Sequence, residues 1–522
     1  MITVEEQQLR EHLAIDEITF AIPAQSFAIA CSISAEEALP VVTEFALRIA
    51  FVCGTLSPSQ IQDFFGFSKK ETDAVIQALL NERLIQWSED QLELTPYALG
   101  RFQDSSDNLP RFFKIQDWSS EVVFDLISFS PAGRPNRLRR VRSQVELATR
   151  DFNKQSRTIQ YAEQAFQQNF HQICKKEKAE IYKISAVDAG ERFSIPLPCV
   201  FHLDLEGQAS VRRNIEDESF GSRLEISEAI TDALSNHERG RNESLRDFIQ
   251  VFDDALLARY VSNDAFDLRR YVQDVHLTRA TGYEHAEVTP MLGALHLQKN
   301  ADQVLARVVS ELALQELPPA GDEDVDEQEG PAEGRQEDAR AASPSNALWW
   351  APQLFLWARG RGARELVQKL DKALIPHAGA PQGPAVRVVV PCDRRAARER
   401  LFTYMDQFGR LFGAELSLMD GNLELLLVPD LLVCAMFHFH LEHQPIAIPI
   451  GFMSSRADHL RAASSLISPR ARLNPGAFAA AREENGAAEI QELLSLLDRL
   501  GAEAAAGSPT RSGRPRLSLK KP

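Results

Sequence analysis

Between residues 57 and 95 the spacing of apolar positions switches from helical to alternating, and the switch predicts four short elements in succession. A helix starts after Ser57-Pro58, where proline suits the first turn, and runs through Ile61 to Phe65 before Gly66 breaks it. A second helix opens at Ser68. Its hydroxyl can accept the Glu71 backbone N–H while the Glu71 carboxylate reaches back to the Ser68 N–H. Val75, Leu79 and Leu80 give this helix an apolar face. Leu84-Ile85-Gln86-Trp87 and Leu92-Glu93-Leu94 then alternate around Ser88-Glu89-Asp90-Gln91, the pattern of a short hairpin.

Further along, the pattern predicts a long polar helix from about Ser143 to Glu177. Strands follow at Tyr182–Ser185 and from Phe193 to Asp204, around a turn at Asp188-Ala189-Gly190-Glu191, with Pro196 and Pro198 placing the second in an extended or edge position. Helical spacing returns at Ile226–His237, at Leu245–Val261, and from Ala301 to Leu317, where Pro318-Pro319 ends it. Gly321 to Arg340 carries nine acids and two arginines with almost no large apolar residue, too little to offset the entropy of ordering, so it reads as a disordered linker. Beyond it, Val386–Pro391 is an apolar strand and Arg394–Phe412 an amphipathic helix. Leu423–Val428 and Leu431–Phe439 are apolar strands joined by Pro429-Asp430, and the chain continues to Phe452. Runs this apolar imply strands covered on both faces.

The fold class expected is therefore mixed α/β and multidomain. A helical and hairpin domain occupies residues 1–105, and a basic loop, long helix and α+β region 106–317. The acidic linker spans 318–345, an α/β domain 346–500, and a basic disordered tail 501–522. A length of 522 residues suits two to four domains, and 44% apolar residues suffice for ordinary cores. A net charge of −17 makes a whole-molecule nucleic-acid coat untenable, so any such contact is local. The N-terminus lacks a basic start and apolar run, and no stretch reaches 18 apolar residues, so neither secretion nor a membrane partner is expected. Six widely spaced cysteines without a CxxC pair favour reduced thiols and a cytoplasmic location.

The order helix, tight turn, helix, hairpin resembles the winged helix-turn-helix family over residues 35–102. The resemblance implies that the second helix lies in the major groove of double-stranded DNA, with Lys69 and Lys70 at its start as DNA contacts, and that Glu89 and Asp90 form the wing tip. The charges pull the other way. Five basic residues face ten acidic ones between Ala35 and Phe102, the wrong sign for a module that binds by releasing counterions. The alternative is a helical module used for packing or protein contact. A basic surface follows directly in Arg134, Arg137, Arg139, Arg140 and Arg142, five arginines in nine residues, suited to phosphate or to an acidic protein partner.

The strand–turn–strand of the second half looks like a half-domain of the phospholipase D-like nuclease family. There, one strand carries His-x-Lys, the turn an acid, and a later loop a Gly-Ser pair. Here Leu423-Glu424-Leu425-Leu426 takes the place of that strand, Asp430 of the turn acid and residues 451–455 of the loop. No His-x-Lys occurs in the 522 residues, so the resemblance implies a domain that has lost its nucleophile and phosphate-binding lysine. His438 and His440 would share a strand face, but no third ligand is evident, and two histidines on a half-exposed strand end is the simpler reading. His202, Asp204, Glu206, His237 and Glu238 match no metal spacing. No glycine-rich phosphate loop, GxSxG or HExxH is present, and no cofactor is expected. Lack of a complete catalytic motif favours a non-enzymatic DNA-binding regulator or accessory subunit with a protein partner. Among bacterial proteins such an architecture often belongs to multi-gene systems, including phage defence. The competing class is a diverged phosphodiesterase or nuclease using His438, His440, Glu424 and Asp430.

Overall fold

The structure, a computed structural model, describes residues 13–37, 39–103, 109–133, 141–176, 178–205, 208–215, 217–235, 240–252, 255–262, 265–280, 287–316, 346–374, 384–393, 395–471, 478–481 and 486–506. It is mixed α/β, as the sequence pattern implies. The chain divides into two units: residues 23–136 with 149–193, and residues 1–22 with 137–148 and 194–522.

In the smaller unit the long strand β1 (Ala14–Glu37), from Ala24 onward, pairs antiparallel with β5 (Phe112–Asp125), in register from Ala24↔Asp125 to Glu37↔Phe112. The strand β6 (Pro131–Ala132) lies outside β5, and β8 (Glu180–Asp204) flanks β1. Phe27, Ile29, Ile33 and Phe124 of this sheet bury against helices α6 (Thr158–Gln168) and α7 (Phe170–Ile173) through Ala162, Ala165, Phe166 and Phe170. The single helix expected from Ser143 to Glu177 does not form. Instead there are β7 (Val145–Glu146), α5 (Phe152–Ser156), α6 and α7. The cause is local: Asp151 caps a fresh helix by accepting the Asn153 N–H at 2.9 Å, and Asn169 leaves helical geometry while its amide donates to Ala165 O. The turn expected at Asp188–Glu191 is also absent, because β8 runs straight through it. Gly190 is there for close approach, since a Cβ would run into the Ser26 hydroxyl and carbonyl.

Residues 41–103 form a sub-assembly with a core of its own, including Leu47, Ile61, Ile76, Leu79, Leu84, Leu92 and Phe102. Its order is α1 (Val41–Cys53), β2 (Thr55–Leu56), α2 (Pro58–Phe65), α3 (Lys69–Asn81), β3 (Ile85–Ser88), β4 (Gln91–Leu94) and α4 (Pro96–Gln103). The three strands lie in the order β2–β4–β3. Both α2 and α3 open on complete capping boxes. Ser57 N donates to Gln60 Oε1 at 2.8 Å and Ser68 N to Glu71 Oε2 at 2.8 Å, each serine hydroxyl accepting in return. Gly66 ends α2 at φ 70°, a left-handed conformation that suits glycine. The buried face of α3 is Thr72, Ile76 and Leu79, with Val75 and Leu80 half-buried beside it.

The larger unit is built on an eight-stranded sheet in the order β12–β18–β17–β16–β13–β14–β15–β19. Its strands are β12 (Val288–Leu292), β13 (Ala347–Trp350), β14 (Val386–Pro391), β15 (Arg410–Ala414), β16 (Leu423–Val428), β17 (Leu432–Phe439), β18 (Ile448–Ser454) and β19 (Phe478–Ala480). The run β13–β14–β15 is parallel, and the other pairings are antiparallel. Every residue of β14, β16 and β18 is buried, as two-sided coverage requires. The strand β9 (Ser210–Ile215) pairs with β8, and β10 (Val261–Ser262) pairs with β11 (Ala265–Phe266). The helices are α8 (Glu218–Gly221), α9 (Leu224–Ser235), α10 (Leu245–Phe252), α11 (Ala255–Ala258), α12 (Leu268–Ala280), α13 (Gln298–Glu316), α14 (Gly362–Leu374), α15 (Ala397–Tyr404), α16 (Ala457–Ala471) and α17 (Gly486–Ala506).

Four expectations change here, the first being the helical stretch over Leu245–Val261, which ends at Ala258 with Val261 in β10 paired to Phe266 of β11. The helix expected over Arg394–Phe412 stops at Tyr404, and Leu411 and Phe412 belong to β15, where the backbone of β14 supplies their partners. The tail expected from Gly501 does not start there, since α17 continues to Ala506 with Leu500, Gly501 and Ala504 buried; residues 507–522 lie outside the described residues. The seam expected after Leu317 does not separate two cores. The strand β12 pairs with β18 from Val288↔Ser454 to Leu292↔Ile450, and Val304, Val308 and Leu312 of α13 share one core with Trp349, Leu366 and Val388. The acidic stretch 318–345 itself lies outside the described residues. Among the described residues no helix is long and apolar enough to cross a membrane, and the six cysteines are free thiols.

Candidate functional sites

Glu424 is the lone acid in the apolar strand β16, and it is fully buried. A buried carboxylate must be paired or it costs several kcal/mol. Three donors meet it. Trp349 Nε1 and Trp357 Nε1 donate to Oε1 at 2.9 and 3.0 Å, and His438 Nε2 lies 2.8 Å from Oε2. The two indoles are held edge-to-face, 5.3 Å between centroids. Burial alone would raise the Glu424 pKa, but the His438 hydrogen bond and charge, the Trp357 N–H and the His296 charge together hold it below the ordinary glutamate value. His438 is only 4% exposed, so it does not sit on a half-exposed strand end; the non-helical stretch 354–357 and Ile446 lie against it.

His440, two residues on, has different partners. Its Nε2 lies 3.1 Å from Asn422 Oδ1, and its backbone N–H and carbonyl both pair with the Asn242 amide at 2.8 Å. Burial, with the His438 charge added, pushes its pKa down to about 4, so the ring is neutral at pH 7. His438 and His440 line a narrow cavity with Asp16, Phe355, Trp357 and Ile446. Behind it, buried His296 places Nε2 3.2 Å from Asp16 Oδ1, off line for a hydrogen bond. Burial works against its cation, but attraction to Asp16, then to Glu424 and Glu17, raises its pKa overall.

The sequence-derived catalytic set is not brought together. Asp430 is exposed in the β16–β17 turn at φ 60°, whereas both Glu424 oxygens are already engaged inside the sheet. Gly451, expected to open a loop, lies mid-strand in β18 opposite Met436, where a Cβ would overlap the Ala435 carbonyl. Among the described residues no group of three or more His, Cys, Asp or Glu side chains is placed to hold a metal. Asp204 is instead paired with Arg212, and Glu206, His237 and Glu238 lie outside the described residues. Trp349, Trp357, His296 and Asp16 were not singled out by sequence. The one available signal was a single acid inside Leu-Glu-Leu-Leu-Leu-Val, which demands partners if the strand is buried.

On the helical sub-assembly, Lys69 and Lys70 are exposed in the first turn of α3, and no ion pair engages them among the described residues. Lys70, Ala74, Gln77 and Asn81 follow one another along an open helical face, with Gln77 Nε2 donating to Asn81 Oδ1 at 3.2 Å. Glu89 and Asp90 form the exposed tip of the β3–β4 hairpin. Arg142 belongs to the other unit and is engaged there, 3.5 Å from Asp406 and stacked 4.1 Å over the Phe402 ring. Arg134, Arg137, Arg139 and Arg140 lie outside the described residues. No family model, no curated protein and no solved structure matches the chain.

Proposed function

We propose that this chain is a non-enzymatic nucleic-acid-associated protein, a regulator or accessory subunit, whose residues 41–103 act as a winged helix-turn-helix on double-stranded DNA. The observation that carries this reading is the open face of α3: Lys70, Ala74, Gln77 and Asn81, all exposed and none bulky, on a helix whose start is fixed by a capping box. Such a face fits a major groove, with lysines for phosphate and amide side chains of the kind that read adenine edges. The acidic hairpin tip limits the contact to α3, since Glu89 and Asp90 would repel the backbone. The layout of β16 and β17 supports a second, structural reading, a phospholipase D-like sheet in which Glu424 serves the core through Trp349, Trp357 and His438 rather than a phosphate.

The test is titration of a labelled duplex with the full chain across a salt series. Binding should weaken steeply with salt, and Lys69→Ala with Lys70→Ala should reduce the log–log salt slope by about 1.8. Gln77→Ala should change sequence preference more than affinity for random duplex. Absence of binding at about 50 mM salt would overturn the DNA reading and leave 41–103 as a protein-contact module.

A further inference from the structure

Arg387 is the one charged residue in the fully buried strand β14. It is 6% exposed, yet its guanidinium is incompletely met: Nη1 donates to Asn346 Oδ1 at 2.7 Å and Nη2 to Glu492 Oε2 at 3.3 Å, while the buried Nε–H has no acceptor among the described residues. Its direct partner in the sheet register is Arg410 of β15, whose Nη1 donates to the same Glu492 oxygen at 3.0 Å. Two like charges set opposite each other thus share one carboxylate, and that carboxylate is half-exposed and correspondingly weak. Burial disfavours the Arg387 cation, and the charges of Arg410 and Arg499 disfavour it further.

Arg387 is one of the residues that line a cleft of about 600 Å³. Along one face of α17, Gln491, Ser495 and Arg499 line it, with Asn346 and Arg387 on the sheet side. Arg387 and Arg499 stand there against the single acid Glu492. Arg499 itself has only a 4.0 Å, half-exposed approach to Glu503. We propose that this cleft binds the phosphate of a small phosphorylated ligand of nucleotide size, with Arg387 and Arg499 as its cationic ligands and the Gln491 side-chain amide as a neutral donor. Guanidinium forks match phosphate oxygens, and a cleft of this volume exceeds what a lone inorganic ion fills. Glu492 acts as the gate: it neutralises the arginines in the empty cleft and competes with the incoming anion.

The test is calorimetric titration of the full chain with phosphate, pyrophosphate and ATP at constant ionic strength. Pyrophosphate or ATP should bind with a dissociation constant below about 1 mM, inorganic phosphate more weakly. Arg499→Ala, an exposed change that leaves the core alone, should weaken binding at least about tenfold, a loss of about 1.4 kcal/mol. Glu492→Gln should tighten it, the opposite of what loss of a purely structural ion-pair network would do. Arg387→Met should abolish binding, with circular dichroism confirming the fold. Three results would each overturn the proposal: no saturable binding of any of the three probes, an Arg499→Ala affinity equal to the wild type, or an unchanged or weaker Glu492→Gln. Competition by duplex DNA without binding of the small phosphates would also overturn it, in favour of a nucleic-acid surface.

Discussion

Glu424 and its donors show how one polar residue can fix the interior of an apolar sheet. Trp349 and Trp357 both donate to Oε1, and His438 Nε2 is the group within hydrogen-bond distance of Oε2. Replacing His438 by Ala therefore leaves Oε2 of a buried carboxylate without its hydrogen-bond partner, and should cost about 3 kcal/mol, read as a fall in the urea midpoint. A loss under about 1 kcal/mol would mean that the two indoles alone satisfy the carboxylate. His440 calls for a different measurement. Its pKa falls from 6.5 in the unfolded chain to about 4 in the fold, so between those values the unfolded state binds the extra proton. Stability is then full above pH 6.5 and lost progressively as the pH falls toward 4. His296 has the opposite sign: its raised pKa contributes stability below 6.5 that is lost as the pH rises through the folded value. His440→Gln should flatten the acid limb of a melting-temperature profile and leave the alkaline limb unchanged. A wild-type acid limb retained in that variant would assign the titration to other groups.

At the scale of elements, what was legible in the sequence was what neighbouring residues decide. Ser57 and Ser68 meet capping partners three residues away, and both helices of the 57–81 segment begin as the pattern implies. The strands β14 and β16 were equally plain, because runs that are apolar at all but one position have few alternatives. Where the deciding partner is distant, the reading failed. Leu411 and Phe412 continue a helical spacing from Leu401, but β14 captures them as a strand. Gly190 looks like a turn residue until Ser26 is placed against it. The site shows the same division. The exposed lysines of α3 were legible, whereas the indoles that clasp Glu424 lie 75 and 67 residues away in sequence. Nothing in the local pattern of His438 distinguishes an exposed strand end from a covered one.

For the whole molecule, the larger unit draws its core from both sides of residues 318–345. A specific protease site inserted there and cut should leave two pieces that co-elute on gel filtration and part only in denaturant. Residues 346–522 produced alone should be insoluble, because β18 would lose its β12 neighbour and the core would lose Val304 and Val308. Separation of the cut pieces into two folded species would restore the picture of independent domains.

The pairing of β12 with β18 also sets a timetable for synthesis. About 160 residues separate Leu292 from its partner Ile450. At roughly 5–20 residues per second, the ribosome delivers the second strand about 8–30 s after the first. Through that interval the apolar side chains of Met291, Leu292 and Leu295 have no sheet to enter. A nascent chain with that much delayed long-range pairing folds slowly and depends on chaperones to keep it from aggregating before its last strands arrive.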